Sequence, residues 1–236
     1  MRIFLFRLLL LAAAVVLYFT DGGALCFLAP FRWGLGGALL WVVWLYLVGE
    51  MLLRLFPNNI IPMGARKHFS RAFLPAPDGG NGAINKAALR RRLNKGALLS
   101  FLVWLAASAL LLWGLYALGR LTPGAVFIFM LSYAVLDITF VLFRCPFQRL
   151  FMGNHCCTSC RIYNWDYLMM CAALVLFPGF YSLSLVVLSL AVFLRWEIAF
   201  YKNPHFFLRE TNLNLTCEHC GKGQCKSKEL VCQNPS

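Results

Sequence analysis

Apolar stretches about as long as a bilayer is thick recur along the whole chain. A helix needs roughly 20 apolar residues to cross a membrane, and 61% of the 236 residues are hydrophobic while only 13% are charged. Such a composition is far from that of an ordinary soluble domain. The sequence therefore predicts an all-α, polytopic helical membrane protein with about six transmembrane helices, placed at residues 3–19, 33–56, 97–118, 125–143, 166–177 and 181–201.

The fifth stretch, residues 166–177, is shorter than the others and is followed by Pro178-Gly179. If this pair turns the chain there are six spans, and if it only kinks a helix there are five. Six is favoured, because an even number places the basic tail on the same side as the other basic segments. At the start of this stretch, Trp165 is predicted to be an interfacial anchor and Asp166 the N-cap of the helix.

Lysine and arginine are concentrated in three segments that lie between or after the spans. Short basic segments stay on the cytoplasmic side of a membrane. Six spans over residues 1–201 then place both termini in the cytoplasm, with the basic loop 57–96, a cysteine-rich loop 144–165 and a cysteine-rich tail 202–236. We expect a bacterial cytoplasmic membrane. The net charge of +13 is explained by this topology and by attraction to an anionic inner leaflet, without nucleic acid as a partner.

The N-terminal apolar run also has the form of a secretory signal peptide. Arg2 and Arg7 stand near the start of an apolar run that continues to Phe19. A basic start before an apolar run is typical of such peptides. No clear Ala-x-Ala cleavage site follows. We therefore expect the first span to be retained, and its removal would leave the orientation of the later spans unchanged.

Seven of the ten cysteines fall in two short polar segments. The loop holds Cys145, Cys156, Cys157 and Cys160, and the tail holds Cys217, Cys220 and Cys225 close together, with Cys232 further along. Each segment contains a C-x-x-C pair, a spacing that lets two thiolates from one turn reach the same metal ion or cluster. Thiols in the cytoplasm stay mostly reduced, so metal ligation is favoured over disulfides.

The tail has no second C-x-x-C after Cys225. We therefore expect the loop and the tail to share one metal site, or to form two adjacent ones. The number of thiols favours an iron–sulfur cluster, although four thiolates also suit zinc. His155 and His219 stand beside cysteines and could each complete a Cys₃His zinc site. Reduced thiols that bind no metal are the third interpretation.

Charged residues inside the apolar stretches form a second candidate site, at Asp137, Arg195 and Glu197. A charge within the bilayer is costly unless it is paired or faces water. Asp137 and Arg195 lie at similar depths in their predicted spans, which would allow them to pair. Glu50 has Arg54 four residues later on the same helix, a spacing at which ion pairs also form. The sequence leaves open whether these residues are structural or line a proton path or a substrate cavity.

Together these features predict a membrane protein whose cytoplasmic, cysteine-ligated iron–sulfur site serves electron transfer to a quinone or a partner subunit. The alternative is a zinc-stapled membrane scaffold or transporter component without redox activity. The chain has no phosphate-binding glycine motif, no Ser/His/Asp arrangement and no paired carboxylates typical of a hydrolase. Whether the protein is an enzyme is left open by the sequence.

Overall fold

The computed structural model describes residues 2–20, 35–56, 68–69, 73–76, 86–142, 145–152, 160–208 and 211–216. Within these ranges the backbone is helical, apart from short connections and a single antiparallel bridge between Pro75 and Asn212. The prediction of an all-α protein is confirmed for this part of the chain.

Seven α-helices lie in the described ranges: α1 (Arg2–Thr20), α2 (Leu35–Leu55), α3 (Lys86–Ala117), α4 (Pro123–Leu142), α5 (Pro146–Leu150), α6 (Asp166–Cys171) and α7 (Phe180–Lys202). Short 3-10 helices cover Tyr163–Trp165, Ala172–Leu176, Pro204–Phe207 and Leu213–Leu215. Five of the helices, α1, α2, α3, α4 and α7, are long and apolar enough to cross a membrane, which supports an integral membrane protein.

The chain divides into two compact units that alternate along the sequence. Unit 1 comprises the described residues within 1–59, 101–144 and 164–195, and unit 2 those within 60–100, 145–163 and 196–236. The helices α3 and α7 contribute residues to both units. The sequence predicts a membrane-spanning bundle at residues 1–201 and a cytoplasmic tail at residues 202–236. This division refers to location in the membrane and not to compact units, so it stays a prediction.

One end of the unit 1 bundle is marked by contacts around Trp165. Its ring centre lies 6.4 Å from that of Phe101 in α3 and 5.4 Å from that of Phe193 near the end of α7. The next residue, Asp166, accepts hydrogen bonds from Arg54 near the end of α2. The final turns of α2 and the first turn of α6 therefore lie at the same end of unit 1.

The opposite end of unit 1 is marked by Tyr181, at the start of α7. Its ring centre lies 6.2 Å from that of Phe127 near the start of α4, and both residues line a small cavity together with Phe177. The segment from Asp166 to Phe177 thus runs from one end of unit 1 to the other. Pro178-Gly179 is a turn between two antiparallel segments, as the six-span interpretation requires.

The fifth crossing is a short segment and not a full-length span. The helix α6 has six residues and the 3-10 helix after it has five, fewer than the roughly 20 that a bilayer crossing needs. Phe177 leaves helical geometry at φ −127° and ψ 80°, because the ring of a following proline disfavours the α conformation. The described residues therefore contain five long apolar helices and one short helical segment that runs between the two ends of unit 1.

Helix α3 covers more than the span predicted at residues 97–118. The span predicted at residues 97–118 is the second part of a 32-residue helix that starts at Lys86. The residues in this extension include alanine, leucine, arginine and lysine, which are strong helix formers. Part of the predicted basic loop is therefore helical, and Arg91, Arg92 and Lys95 are exposed on it.

Gly96 in α3 allows a close approach within unit 2. A Cβ atom at this position would collide with the carbonyl oxygen of Phe151 and would lie 2.9 Å from the sulfur of Met152. Gly114 on the same helix has no atom within 4 Å of the corresponding position. The segment that follows α5 can therefore pack on α3 only where a side chain is absent.

Gly96→Ala is expected to lower the free energy of unfolding by about 1–3 kcal/mol, the usual cost of overpacking. Gly114→Ala gives the same helix-propensity gain without the clash and should leave stability unchanged or slightly raised. Thermal unfolding of both variants in detergent measures the difference. Equal stability of the two variants would contradict the close approach at Gly96.

Candidate functional site

The described residues contain three cysteines, Cys145, Cys160 and Cys171, and all are thiols outside disulfides. Cys160 is 4% exposed, and Cys171 is fully buried in unit 1. The other predicted ligands lie outside the described residues: Cys156, Cys157, Cys217, Cys220 and Cys225. Within the described ranges no three His, Cys, Asp or Glu side chains are grouped to hold a metal ion. The cysteine site thus stays a prediction.

Cys160 is followed by an arginine that is buried in unit 2. The Arg161 guanidinium donates two hydrogen bonds to the carboxylate of Glu197, at 2.7 and 2.6 Å. It also lies 3.7 Å from the centre of the Phe200 ring. The planar guanidinium suits both contacts, since it binds a carboxylate through two donors and stacks on aromatic rings. These contacts fix the backbone beside Cys160 to the last turns of α7.

The chain after α7 folds back on unit 2 before the tail cysteines begin. The side chain of Asn212 is buried, donates to the carbonyl oxygen of Phe206 at 2.9 Å and accepts from the amide of Leu74 at 3.3 Å. A buried amide that meets backbone groups in this way holds two segments together. The tail is therefore anchored up to Thr216, the residue before Cys217.

Trp196 joins the loop and the tail within unit 2. Its indole nitrogen donates to the carbonyl oxygen of Arg161 at 2.8 Å. Its ring centre lies 5.0 Å from that of Phe207 and 4.9 Å from that of His68. Trp196 and His68 are fully buried. The residue after Cys160 and the start of the tail thus contact the same side chain.

Arg7 lies at the centre of unit 1, with 4% of its surface exposed. Its guanidinium donates to the hydroxyl of Tyr46 at 3.0 Å and to the carboxylate of Glu50 at 2.8 Å in α2. It also donates to the carbonyl oxygen of Ala134 at 2.9 Å and contacts the carboxylate of Asp137 at 3.3 Å in α4. One buried charge therefore connects three of the long apolar helices.

A second arginine extends this network to the short crossing segment. Tyr167 donates to Glu50 at 2.7 Å, and the Arg54 guanidinium lies 4.3 Å from the centre of the Tyr167 ring. Arg54 also donates to the two carboxylate oxygens of Asp166 at 2.9 and 2.8 Å and to Asn164 at 2.9 Å. The first turn of α6 is thus fixed to α2.

Asp137 and Glu50 have a different partner from those that depth along the spans and four-residue spacing suggested. Both carboxylates contact Arg7 of α1. Depth along a helix does not determine which helices are neighbours, and α1 packs closely on α4. The structure therefore replaces an Asp137–Arg195 pair with a site centred on α1.

Glu197 of the predicted polar site and Asp166, the predicted N-cap, have partners that the sequence did not identify. Glu197 belongs to unit 2, where its partner is Arg161. Asp166 is the first residue of α6 and not its N-cap, a position that Trp165 occupies without a side-chain capping hydrogen bond. The carboxylate of Asp166 is engaged by Arg54 instead, because a buried arginine is a stronger partner than a backbone amide.

Three arginines, Arg7, Arg54 and Arg161, hold these sites together and were not predicted as site residues. Arg7 had a usable signal, since it is a lone charge within an apolar run, and such charges usually face the interior of a bundle. Arg54 and Arg161 stand near the ends of apolar segments, where basic residues are common. Their sequence positions therefore carried no comparable signal.

No protein-family model, curated protein or solved structure matches this chain. We therefore infer the function of the chain from the contacts around Trp196 and Arg7.

Arg7→Met is expected to destabilise the protein by about 3–5 kcal/mol, because it leaves the Glu50 carboxylate between apolar helices without its cation. Arg2→Met is the matched control, since Arg2 is exposed on the same helix. Adding Glu50→Gln to Arg7→Met should recover part of the loss. Unfolding in detergent tests this, and equal effects of the two arginine substitutions would contradict a buried role for Arg7.

Glu197→Gln is expected to loosen the backbone beside Cys160 and to raise the rate at which this thiol reacts with a maleimide. The reason is that the buried Arg161 loses a charged partner that accepts two hydrogen bonds. Peptide-resolved mass spectrometry of the full-length protein measures the rate at Cys160, with Cys171 as an internal reference. An unchanged rate at Cys160 would show that the pair does not protect it.

Proposed function

We propose that this chain is an integral membrane protein that holds a thiolate-ligated iron–sulfur cluster and passes electrons to a quinone or a partner subunit. The observation that carries the proposal is the double contact of Trp196, which binds the backbone of Arg161 beside Cys160 and packs against Phe207 of the tail. The Trp196 side chain therefore contacts both the residue after Cys160 in the loop and the part of the tail that precedes the tail cysteines.

The donor set has the chemistry of a soft metal site. Thiolates are the preferred ligands of iron–sulfur clusters and are also good ligands of zinc. The C-x-x-C pairs supply the proposed ligands, Cys157 with Cys160 and Cys217 with Cys220, while Cys145, Cys156 and Cys225 are further candidates. A bound cluster would supply a one-electron redox couple. The Arg161–Glu197 pair would hold the Cys160 backbone in place.

We place the protein in a bacterial cytoplasmic membrane, with both termini, the cysteine-rich loop and the cysteine-rich tail in the cytoplasm. The turn at Pro178-Gly179 supports this orientation, because it gives an even number of crossings. The exposed residues Arg91, Arg92 and Lys95 of α3 also support it, since short basic segments stay inside. Anionic lipids of the inner leaflet would then be a natural partner.

Purification without oxygen, followed by analysis of iron, zinc and acid-labile sulfide, tests the proposal. We expect iron and sulfide in similar amounts and a visible absorbance that bleaches on reduction. Serine substitution of Cys157, Cys160, Cys217 or Cys220 should each abolish most of the bound iron, because a cluster loses a ligand.

Cys171→Ala is the matched control for these substitutions. Cys171 is a buried thiol of unit 1, outside both cysteine segments, so its replacement should leave iron and sulfide unchanged. Zinc without sulfide would contradict electron transfer and favour the alternative, a zinc-stapled membrane scaffold or transporter component. Protein that contains neither metal, from cells supplied with both, would contradict metal ligation altogether.

A further inference from the structure

The buried network of unit 1 contains more negative than positive groups. Its cations are Arg7 and Arg54, and its carboxylates are Glu50, Asp137 and Asp166. No further cation among the described residues contacts these three carboxylates. If every carboxylate were ionised, the described residues of the network would hold one uncompensated negative charge between apolar helices.

An uncompensated charge in this position is costly, because apolar surroundings solvate ions poorly. Arg7 and Arg54 are almost fully buried, and Asp166 is 8% exposed. The least expensive way to balance the network is to neutralise one carboxylate with a proton. The geometry then determines which carboxylate receives it.

Glu50 and Asp166 each have two short hydrogen bonds that stabilise the ionised form. Glu50 accepts from Arg7 at 2.8 Å and from Tyr167 at 2.7 Å. The two oxygens of Asp166 accept from Arg54 at 2.9 and 2.8 Å. Charge-assisted bonds of this length favour the carboxylate over the acid.

Asp137 is the weakly bound member of the network. Among the described residues it has one hydrogen bond, a 3.3 Å contact to a nitrogen of Arg7 that also donates to the carbonyl oxygen of Ala134 at 2.9 Å. Its side chain is 28% exposed, against 23% for Glu50 and 8% for Asp166. Asp137 therefore has the least stabilisation as an anion and the easiest access for an exchanging proton.

We propose that Asp137 is a proton-binding site within the membrane-spanning bundle. The proton binds a carboxylate oxygen of Asp137 and balances the network, and its release leaves the extra negative charge beside Arg7. The charged and titratable groups facing this site are Arg7 from α1, Tyr46, Glu50 and Arg54 from α2, and Asp166 and Tyr167 from α6. The 3-10 helix Ala172–Leu176 and the unit 1 part of α3 contribute no charged residue.

Such a site would make a membrane process that uses this bundle sensitive to the proton gradient. The inference rests on unit 1 alone and does not depend on the metal proposed for the cysteines of the loop and tail. Loss of the metal hypothesis would therefore leave it unchanged.

Infrared difference spectroscopy of the full-length protein in lipid vesicles tests the site. Raising the pH should remove the carbonyl stretch of a protonated carboxylic acid, and the band should shift when water is exchanged for heavy water. Asp137→Glu keeps the charge of the network and should shift the band, whereas Glu50→Asp and Asp166→Glu should leave it in place. A band that is absent from the wild-type protein, or that shifts only in Glu50→Asp or Asp166→Glu, would overturn the assignment to Asp137.

Isotope labelling keeps the test valid if a substitution prevents folding. Aspartate labelled with carbon-13 at the side-chain carboxyl should shift the wild-type band, while labelled glutamate should leave it in place. A band that moves with glutamate would contradict the proposal. A spectrum that responds to sodium or potassium in place of pH would show that a metal cation, and not a proton, balances the network.

Discussion

Burial of the Arg7 guanidinium is the interaction on which the arrangement of unit 1 depends. A charged group between apolar helices is stable only if anions and dipoles meet it, and Arg7 meets Glu50 of α2 and Asp137 of α4. The bonds to Glu50 at 2.8 Å and to the carbonyl oxygen of Ala134 in α4 at 2.9 Å are short, so they fix the depth of α1 against both helices. Tyr167 adds the short helix α6 through its bond to Glu50. Apolar packing alone would allow the helices to slide.

Unit 2 is stabilised differently, by aromatic rings around one ion pair. Trp196 is fully buried and contacts the backbone of Arg161 and the ring of Phe207. Arg161 is neutralised by Glu197, so a charge can lie among aromatic side chains at low cost. This arrangement gives the proposed metal site rigid anchors on the loop and on the tail. In unit 1, by contrast, the proposed proton site is Asp137, a carboxylate whose negative charge the arginines of the network do not fully balance.

Local properties of the sequence predicted most of the fold. The spans expected at residues 3–19 and 125–143 correspond to Arg2–Thr20 and Pro123–Leu142, because the length of an apolar run is read directly from the chain. The partner of Asp137 and the role of Asp166 were wrong, since they depend on which helices become neighbours. The cysteine pattern predicted a metal site, but most of its ligands lie outside the described residues.

In the proposed topology six chain segments alternate in direction, which would place both cysteine segments on one side of the membrane. A Gly179→Cys variant with an epitope tag after Ser236 tests it directly in intact cells. The account predicts that an impermeant maleimide reaches Gly179→Cys from outside, while an antibody reaches the tag only after permeabilisation. If the hairpin at Pro178-Gly179 and the tag are accessible from the same side, the topology is contradicted.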